Sequence, residues 1–361
     1  MKRILTIAGL AALSACASGT AGSEPATGPG TGAVTPPATG VSAAGSGAAA
    51  TAAATITADD MRRHVAYLAS DALRGRDTPS PGLDSAAAYL SREFARLGLQ
   101  GGAGEGGFIQ RYPLRGRGGS GIAPNVVAVF PGGDPTLRNE YVVLSAHMDH
   151  VGVGRPVRGD SIYNGADDDA SGTSALVEVA EAFASMPRRP ARSIIFLAVS
   201  GEEKGLLGSE YYSNNPTVPI GSIVANVNID MIGRNDGGDV VVIGKDYSSL
   251  GPLVDRLAGE HRGIVGITPA NDRWPEERFF FRSDHYNFAR KEIPAIFFFA
   301  GVHDDYHQPS DEVESLDVDK AARVARLVFL TANSIATTPQ RPEWTASGLA
   351  EVRRMTRGGR D

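Results

Sequence analysis

Two hydrophobic periodicities run along the chain. ADDMRRHVAYLASDAL (58–73) and DSAAAYLSREFARLGL (84–99) carry apolar residues three and four apart, the spacing of one helix face. Thr57 stands where an N-cap belongs, and Gly101-Gly102 follow the second helix. From residue 125 onward the pattern changes to short apolar runs: NVVAVF (125–130), YVVLSA (141–146), SIIFLAV (193–199), IVANVNID (223–230), DVVVIG (239–244) and AIFFFA (295–300). Such runs predict strands, and the unbroken ones predict strands buried on both faces. Helical spacing returns at 172–185, in LLGSEYYSN, and over 317–336. This alternation predicts one α/β domain over 56–337, a central mixed, mostly parallel sheet with helices on both faces.

The ends read differently. MKR, the short run ILTIAGLAALSA and then Cys16 form a signal peptide over 1–15. Leu13-Ser14-Ala15-Cys16 resembles the bacterial lipoprotein signal, which implies acylation of Cys16, a membrane anchor and a place in the cell envelope. Residues 16–55, nearly all Ala, Gly, Thr, Ser and Pro, are expected to be a flexible tether, and 338–361 a frayed basic tail. Cys16 is the only cysteine, so no internal disulfide forms. A net charge of −6 gives no sign of nucleic-acid binding, and a monomer is expected.

In open α/β sheets, sites form at the carboxyl edge. Beyond the predicted strands lie His147-Met148-Asp149-His150, Gly201-Glu202-Glu203, Asp230 and Asp305-Tyr306-His307; NGADDDASG (164–172) opens a helix. Singly, each has a bland reading: Asp168 as a helix cap, the Glu pair as a solvated loop. Together they form a set of His and carboxylates suited to zinc. Three adjacent aspartates make sense if one carboxylate bridges two cations.

In order and spacing these residues resemble the motifs of the M28 family of zinc metallopeptidases. LASDALRGRDTPSPG, FRSDHYNF and YHQPSDEVESLD resemble its bacterial aminopeptidase branch, and the likeness runs over roughly 59–336. It implies a di-zinc aminopeptidase acting on peptides with a free N-terminus. His147 and Asp230 would hold one zinc, Glu203 and His307 the other, with Asp168 between them. Glu202 would be the general base toward a water between the ions, and Tyr306 a donor to the oxyanion. Asp167 and Asp169 would bond backbone groups, and the Asp168–Asp169 peptide would be cis. Asp149, two residues past His147 on an extended chain, would accept its second ring N–H. His150 and the Ser283-Asp284-His285 cluster are expected outside the chemistry, and the Phe279–Phe281 and Phe297–Phe299 runs mostly in the core. A carboxypeptidase using Arg234 or Arg282, a glutaminyl cyclase, and a non-catalytic metal-binding lipoprotein remain the alternatives.

Overall fold

The computed structural model describes residues 43–116 and 119–358. The signal peptide, Cys16 and the tether up to residue 42 lie outside the described residues. The chain opens with helices α1 (Ala43–Ala53), α2 (Ala58–Leu68) and α3 (Pro81–Arg96). Strands β1 (Gln100–Gly101), β2 (Ile109–Leu114), β3 (Gly121–Phe130) and β4 (Tyr141–His147) follow, then the hairpin β5 (Gly152–Val157) and β6 (Asp160–Tyr163). After α4 (Gly172–Ser185) come β7 (Ser193–Val199), α5 (Leu207–Asn214), β8 (Ile223–Ile229), β9 (Asp239–Ile243), α6 (Leu250–Glu260), α7 (Arg262–Val265) and β10 (Thr268–Ala270). The chain closes with α8 (His285–Ala289), β11 (Ala295–Phe299), α9 (Val318–Thr337) and α10 (Ala346–Gly358).

One nine-stranded sheet runs β1-β3-β7-β4-β8-β11-β9-β10, with β2 also paired to β3. Its middle, β7-β4-β8-β11, is parallel, while β3 and β9 run antiparallel to it. Both faces are covered, as the apolar runs require. Val142, Leu144, Ile194 and Phe196 pack against α1, α3, α4 and α9 on one side. On the other, Val143, Ile195 and Leu197 meet Tyr212 of α5 and Phe288 of α8, and Val241 and Phe297 share a cluster with Val352 of α10.

Local signals set the boundaries. Thr57 caps α2, its hydroxyl accepting the Asp60 N–H at 3.1 Å. Ser80 does the same for α3 through Leu83 N–H, with Pro81 in the first turn, so α3 starts before the expected residue 84. Two expectations give way. Residues 43–53, assigned to the tether, form α1 and bury Ala49, Ala52 and Ala53. Alanine has the highest helix propensity, and its small side chain lets α1 lie close on α9. The tail, expected to fray, forms α10 and seats Val352 in the core.

Candidate active site

The four parallel strands deliver their following residues to one edge. His147 ends β4, the Gly201-Glu202-Glu203 turn follows β7, Asp230 follows β8, and the loop to Tyr306-His307 follows β11. The aspartate run enters α4 beside them. Two groups of donor atoms result, each within 4.8 Å: His147, Asp168 and Asp230; and His150, Asp168, Glu203 and His307. Asp168 belongs to both. Its Oδ1 lies 3.1 Å from His147 Nε2 and its Oδ2 lies 3.1 Å from His307 Nε2. His147 Nε2 is also 3.5 Å from Asp230 Oδ1, and His307 Nε2 is 3.0 Å from Glu203 Oε2. All five sequence-predicted ligands therefore meet.

His150, expected as a bystander, joins the second group, its Nδ1 2.8 Å from Glu203 Oε1. β4 ends at His147, so the alternation of faces within a strand no longer fixes where His150 points. Arg76 then takes the Met148 carbonyl and the chain turns inward.

Charge and unsatisfied atoms show what the cluster lacks. Against the cost of burial, Asp230, Asp149 and Asp168 raise the His147 imidazole well above its ordinary range. His307 is raised to about 10, burial opposing and Asp168 and Glu203 prevailing. Both rings are drawn toward a positive charge that the carboxylates demand. Yet Glu203 Oε1, His307 Nε2 and both His150 nitrogens are buried without a hydrogen-bond partner. Buried polar atoms are rarely left so. Lone pairs converging from His and carboxylate are the donor set of a divalent ion such as zinc, so these residues fit one.

The other aspartates bond backbone, as expected. Asp167 Oδ1 accepts Gly233 N–H at 2.6 Å. Asp169 Oδ1 accepts Gly172 N–H at 2.8 Å and Met231 N–H at 3.2 Å, while Oδ2 accepts His147 N–H at 3.1 Å, tying three ligand-bearing segments together. The Asp168–Asp169 peptide is cis. Asp311, which sequence reasoning missed, accepts the N–H groups of Asp167 and Asp168, each at 3.1 Å. Its only signal was its place in YHQPSDE.

One expected contact differs. His147 Nδ1 bonds the Asp149 main-chain carbonyl at 3.1 Å, while the Asp149 carboxylate stands 3.7 Å away, too far for a hydrogen bond. That carboxylate is turned instead to the Thr78 hydroxyl and Glu202 N–H.

A cavity opens over the cluster, lined by His147, Asp168, Glu202, Asp230 and Tyr306. Met231, Phe279, Phe297, Phe299 and Arg282 line it as well. Phe280 and Phe298 are core, so the two aromatic runs divide between cavity and interior. Burial, with Glu203, Asp284 and Asp230 adding to it, pushes the Glu202 carboxyl well above the usual range against the pull of His147. Tyr306 stacks on His307, ring centroids 3.9 Å apart. Of the Ser283-Asp284-His285 cluster, Ser283 donates to Asp230 Oδ2 at 2.7 Å, while His285 stacks on Phe297 inside the aromatic layer. No triad forms. Arg234 pairs with Asp305 at 2.5 Å and does not line the cavity.

A helix-flanked mixed sheet with a shared-carboxylate donor cluster at its carboxyl edge defines a zinc-exopeptidase-like protein. The model of peptidase family M28 matches residues 125–332, and the chain belongs to that family, which is zinc-dependent. Among curated proteins it is 29% identical to leupeptin-inactivating enzyme 1 of Streptomyces exfoliatus over 53% of this chain and 38% of that protein. It is 26% identical to a probable leucine aminopeptidase of Arthroderma benhamiae over 60% of this chain and 58% of that one. The chain thus spans about half the length of these relatives. In fold it is similar to the LapA aminopeptidase of Legionella pneumophila (TM-score 0.64, 21% identity, covering 82% of this chain and 76% of that one). The glutaminyl cyclase of Porphyromonas gingivalis shares the fold as well (TM-score 0.61, 18% identity, 77% and 98%).

Proposed function

We propose that this protein is a di-zinc aminopeptidase that removes N-terminal residues from peptides. One observation carries the reading: the two oxygens of Asp168 face two separate donor groups, with Glu202 lining the cavity beside them. His147 and Asp230 would hold one ion, Glu203 and His307 the other, and Asp168 both. His150 stands against the second. Zinc bound there would supply Lewis acidity, lowering the pKa of a water and polarising the scissile carbonyl.

The chain's own residues do the rest. Glu202, its carboxyl raised by burial and neighbouring carboxylates, takes a proton from the attacking water and hands it to the leaving amine. Burial first, then Asp168 and Glu203, push the Tyr306 phenol up, so it keeps its proton and can donate to the developing oxyanion. Glu202 and Asp230, both on the cavity wall, suit a free α-ammonium group. Met231, Phe279, Phe297 and Phe299 form an apolar wall that favours apolar N-terminal side chains.

The test is hydrolysis by the zinc-loaded protein of aminoacyl anilides, their N-blocked counterparts and peptides with a free C-terminus, beside Glu202→Gln. Cleavage of free-amine substrates alone, lost in a Glu202→Gln protein that still holds two zinc ions per chain, is the expected result. Cleavage from the C-terminus, with Arg282 at the cavity as the anchor, would replace this reading with a carboxypeptidase. Cyclisation of N-terminal glutamine would replace it with a cyclase.

We also propose that Cys16 is acylated and anchors the protein in the cell envelope. The support is the Leu13–Cys16 sequence; among the described residues no helix is long and apolar enough to cross a membrane. Cys16→Ser should shift the protein from the membrane to the soluble fraction, and unchanged partition would sink the anchor.

A further inference from the structure

The segment Arg76-Asp77-Thr78, far from every ligand in sequence, passes behind the site. We propose that Thr78 is a positioning residue whose hydroxyl locks the loop carrying His147 to the loop carrying Glu202 and Glu203. It rests on the reading of the site given above. Thr78 is fully buried. Its hydroxyl donates to Asp149 Oδ2 at 2.9 Å and accepts the Gly201 N–H at 3.0 Å. The other Asp149 oxygen accepts Glu202 N–H at 3.3 Å. A carboxylate that does not reach the His147 ring therefore still acts on the site. It ties the turn after β4 to the turn after β7, with Thr78 closing the ring.

The loop grips the segment in return. Lys204, next after Glu203, donates to the Thr78 carbonyl and pairs with Asp77 at 2.8 Å. Two residues upstream, Arg76 extends the grip to the third loop. Its guanidinium donates to the carbonyls of Met148 (2.9 Å), Asn164 (2.7 Å) and Gly165 (3.0 Å), the last two just before the aspartate run. The segments holding His147, Asp168 and Glu203 thus all meet this one short stretch through side-chain bonds.

Only a side chain that both donates and accepts satisfies Asp149 and Gly201 together. Valine, of the same shape, would leave a buried carboxylate oxygen and a buried N–H unpaired, whereas serine would keep both bonds. Displacement of Gly201 moves Glu202 and Glu203 with it, and partners behind metal ligands typically govern roughly 10–100-fold in metal affinity or activity.

The experiment compares full-length, zinc-loaded wild type, Thr78→Val and Thr78→Ser by steady-state kinetics and by chelator competition for zinc. Thr78→Val should lose about 10–100-fold in kcat with KM little changed and release zinc at about 10-fold lower chelator. Thr78→Ser should restore both. If Thr78→Val does not fold, Thr78→Ala replaces it with the same expectations. Wild-type kcat and zinc retention in Thr78→Val, or a serine variant as impaired as valine, would overturn the proposal. Should wild type cleave nothing, the aminopeptidase reading fails by itself, and zinc retention still decides the role of Thr78.

Discussion

The two ends of the central strands bury polar side chains in opposite ways. At the amino end, Arg192 precedes β7 fully buried, yet its guanidinium is spent. Nε donates to Glu140 at 2.7 Å, Nη1 to the carbonyls of Ile335 (2.8 Å) and Thr338, and Nη2 to that of Pro339 at 2.7 Å. Glu140 in turn takes Arg341 at 2.6 Å. At the carboxyl end, His150, His307 and Glu203 crowd together with ring nitrogens and a carboxylate oxygen unbonded. A buried polar group with every partner in place is architecture. One whose lone pairs converge on a common point is a site that something else completes. The same sheet thus separates a polar cluster that holds the fold from one that is the candidate active site.

Substitution at each end should separate the two roles. Glu202→Gln keeps shape and removes the base, so kcat/KM should fall by roughly 10²–10⁴-fold with melting temperature and zinc content unchanged. Substantial residual turnover would mean that the carboxyl-end cluster does not work through Glu202. Arg192→Met should show the reverse. Three carbonyls lose a donor at about 1–3 kcal/mol each, so urea unfolding should lose roughly 3 kcal/mol or more, with kcat per folded molecule unaltered. An active-site defect in that variant would erase the contrast between the ends.

How much of this was legible follows the same division. β7 and α4 fall on the expected residues because an unbroken apolar run and a helical stripe are strong local signals. The candidate ligands could be read because four of them stand at or after strand ends on one edge and Asp168 lies in the run that opens α4. The hairpin β5–β6 and strand β2 escaped, being short, half-exposed and rich in Arg, Gly and Pro. Thr78, Asp311 and the Asp149–Glu202 contact could not be read, since they depend on three-dimensional neighbours 53 to 144 residues away. That His150 would stand beside Glu203 could not be read either, because β4 ends at His147 and alternation gives no direction past a strand's end. α1 was misread by composition: alanine-rich sequence offers little apolar surface on its own, but α9 supplies the surface it lacks.

That last correction carries a prediction. Ala49, Ala52 and Ala53 pack in one cluster with the buried face of α9, and just past α1 the Ile56 carbonyl accepts two bonds from Arg326 of α9, at 3.1 and 2.9 Å. A chain beginning at residue 56 should be less stable than one beginning at 43 by roughly 2–4 kcal/mol, the worth of three buried alanine methyls and the face of α9 they cover. Equal melting temperatures for the two would return residues 43–53 to the tether.

The smallest expected effect concerns His285, which lies on the polar side of the contrast by type and on the apolar side by environment. It is buried against Phe297, centroids 5.0 Å apart, and Phe280 at 4.8 Å, and burial lowers its pKa to about 3. In the unfolded chain it titrates near 6.5. Between these values the unfolded state takes a proton that the folded state refuses. The stability due to its neutrality is therefore whole above pH 6.5 and is lost as pH falls toward 3. At pH 5 the loss is on the order of 2 kcal/mol. His285→Phe should remove that component, so the difference between its unfolding free energy and that of wild type should grow by about this much from pH 7.5 to pH 5. Taking the difference cancels the titrations shared by both proteins, those of the metal-site histidines included. A difference that stays flat would mean that His285 reaches water or a partner, and the aromatic layer beneath the cavity would then be wetter than its packing implies.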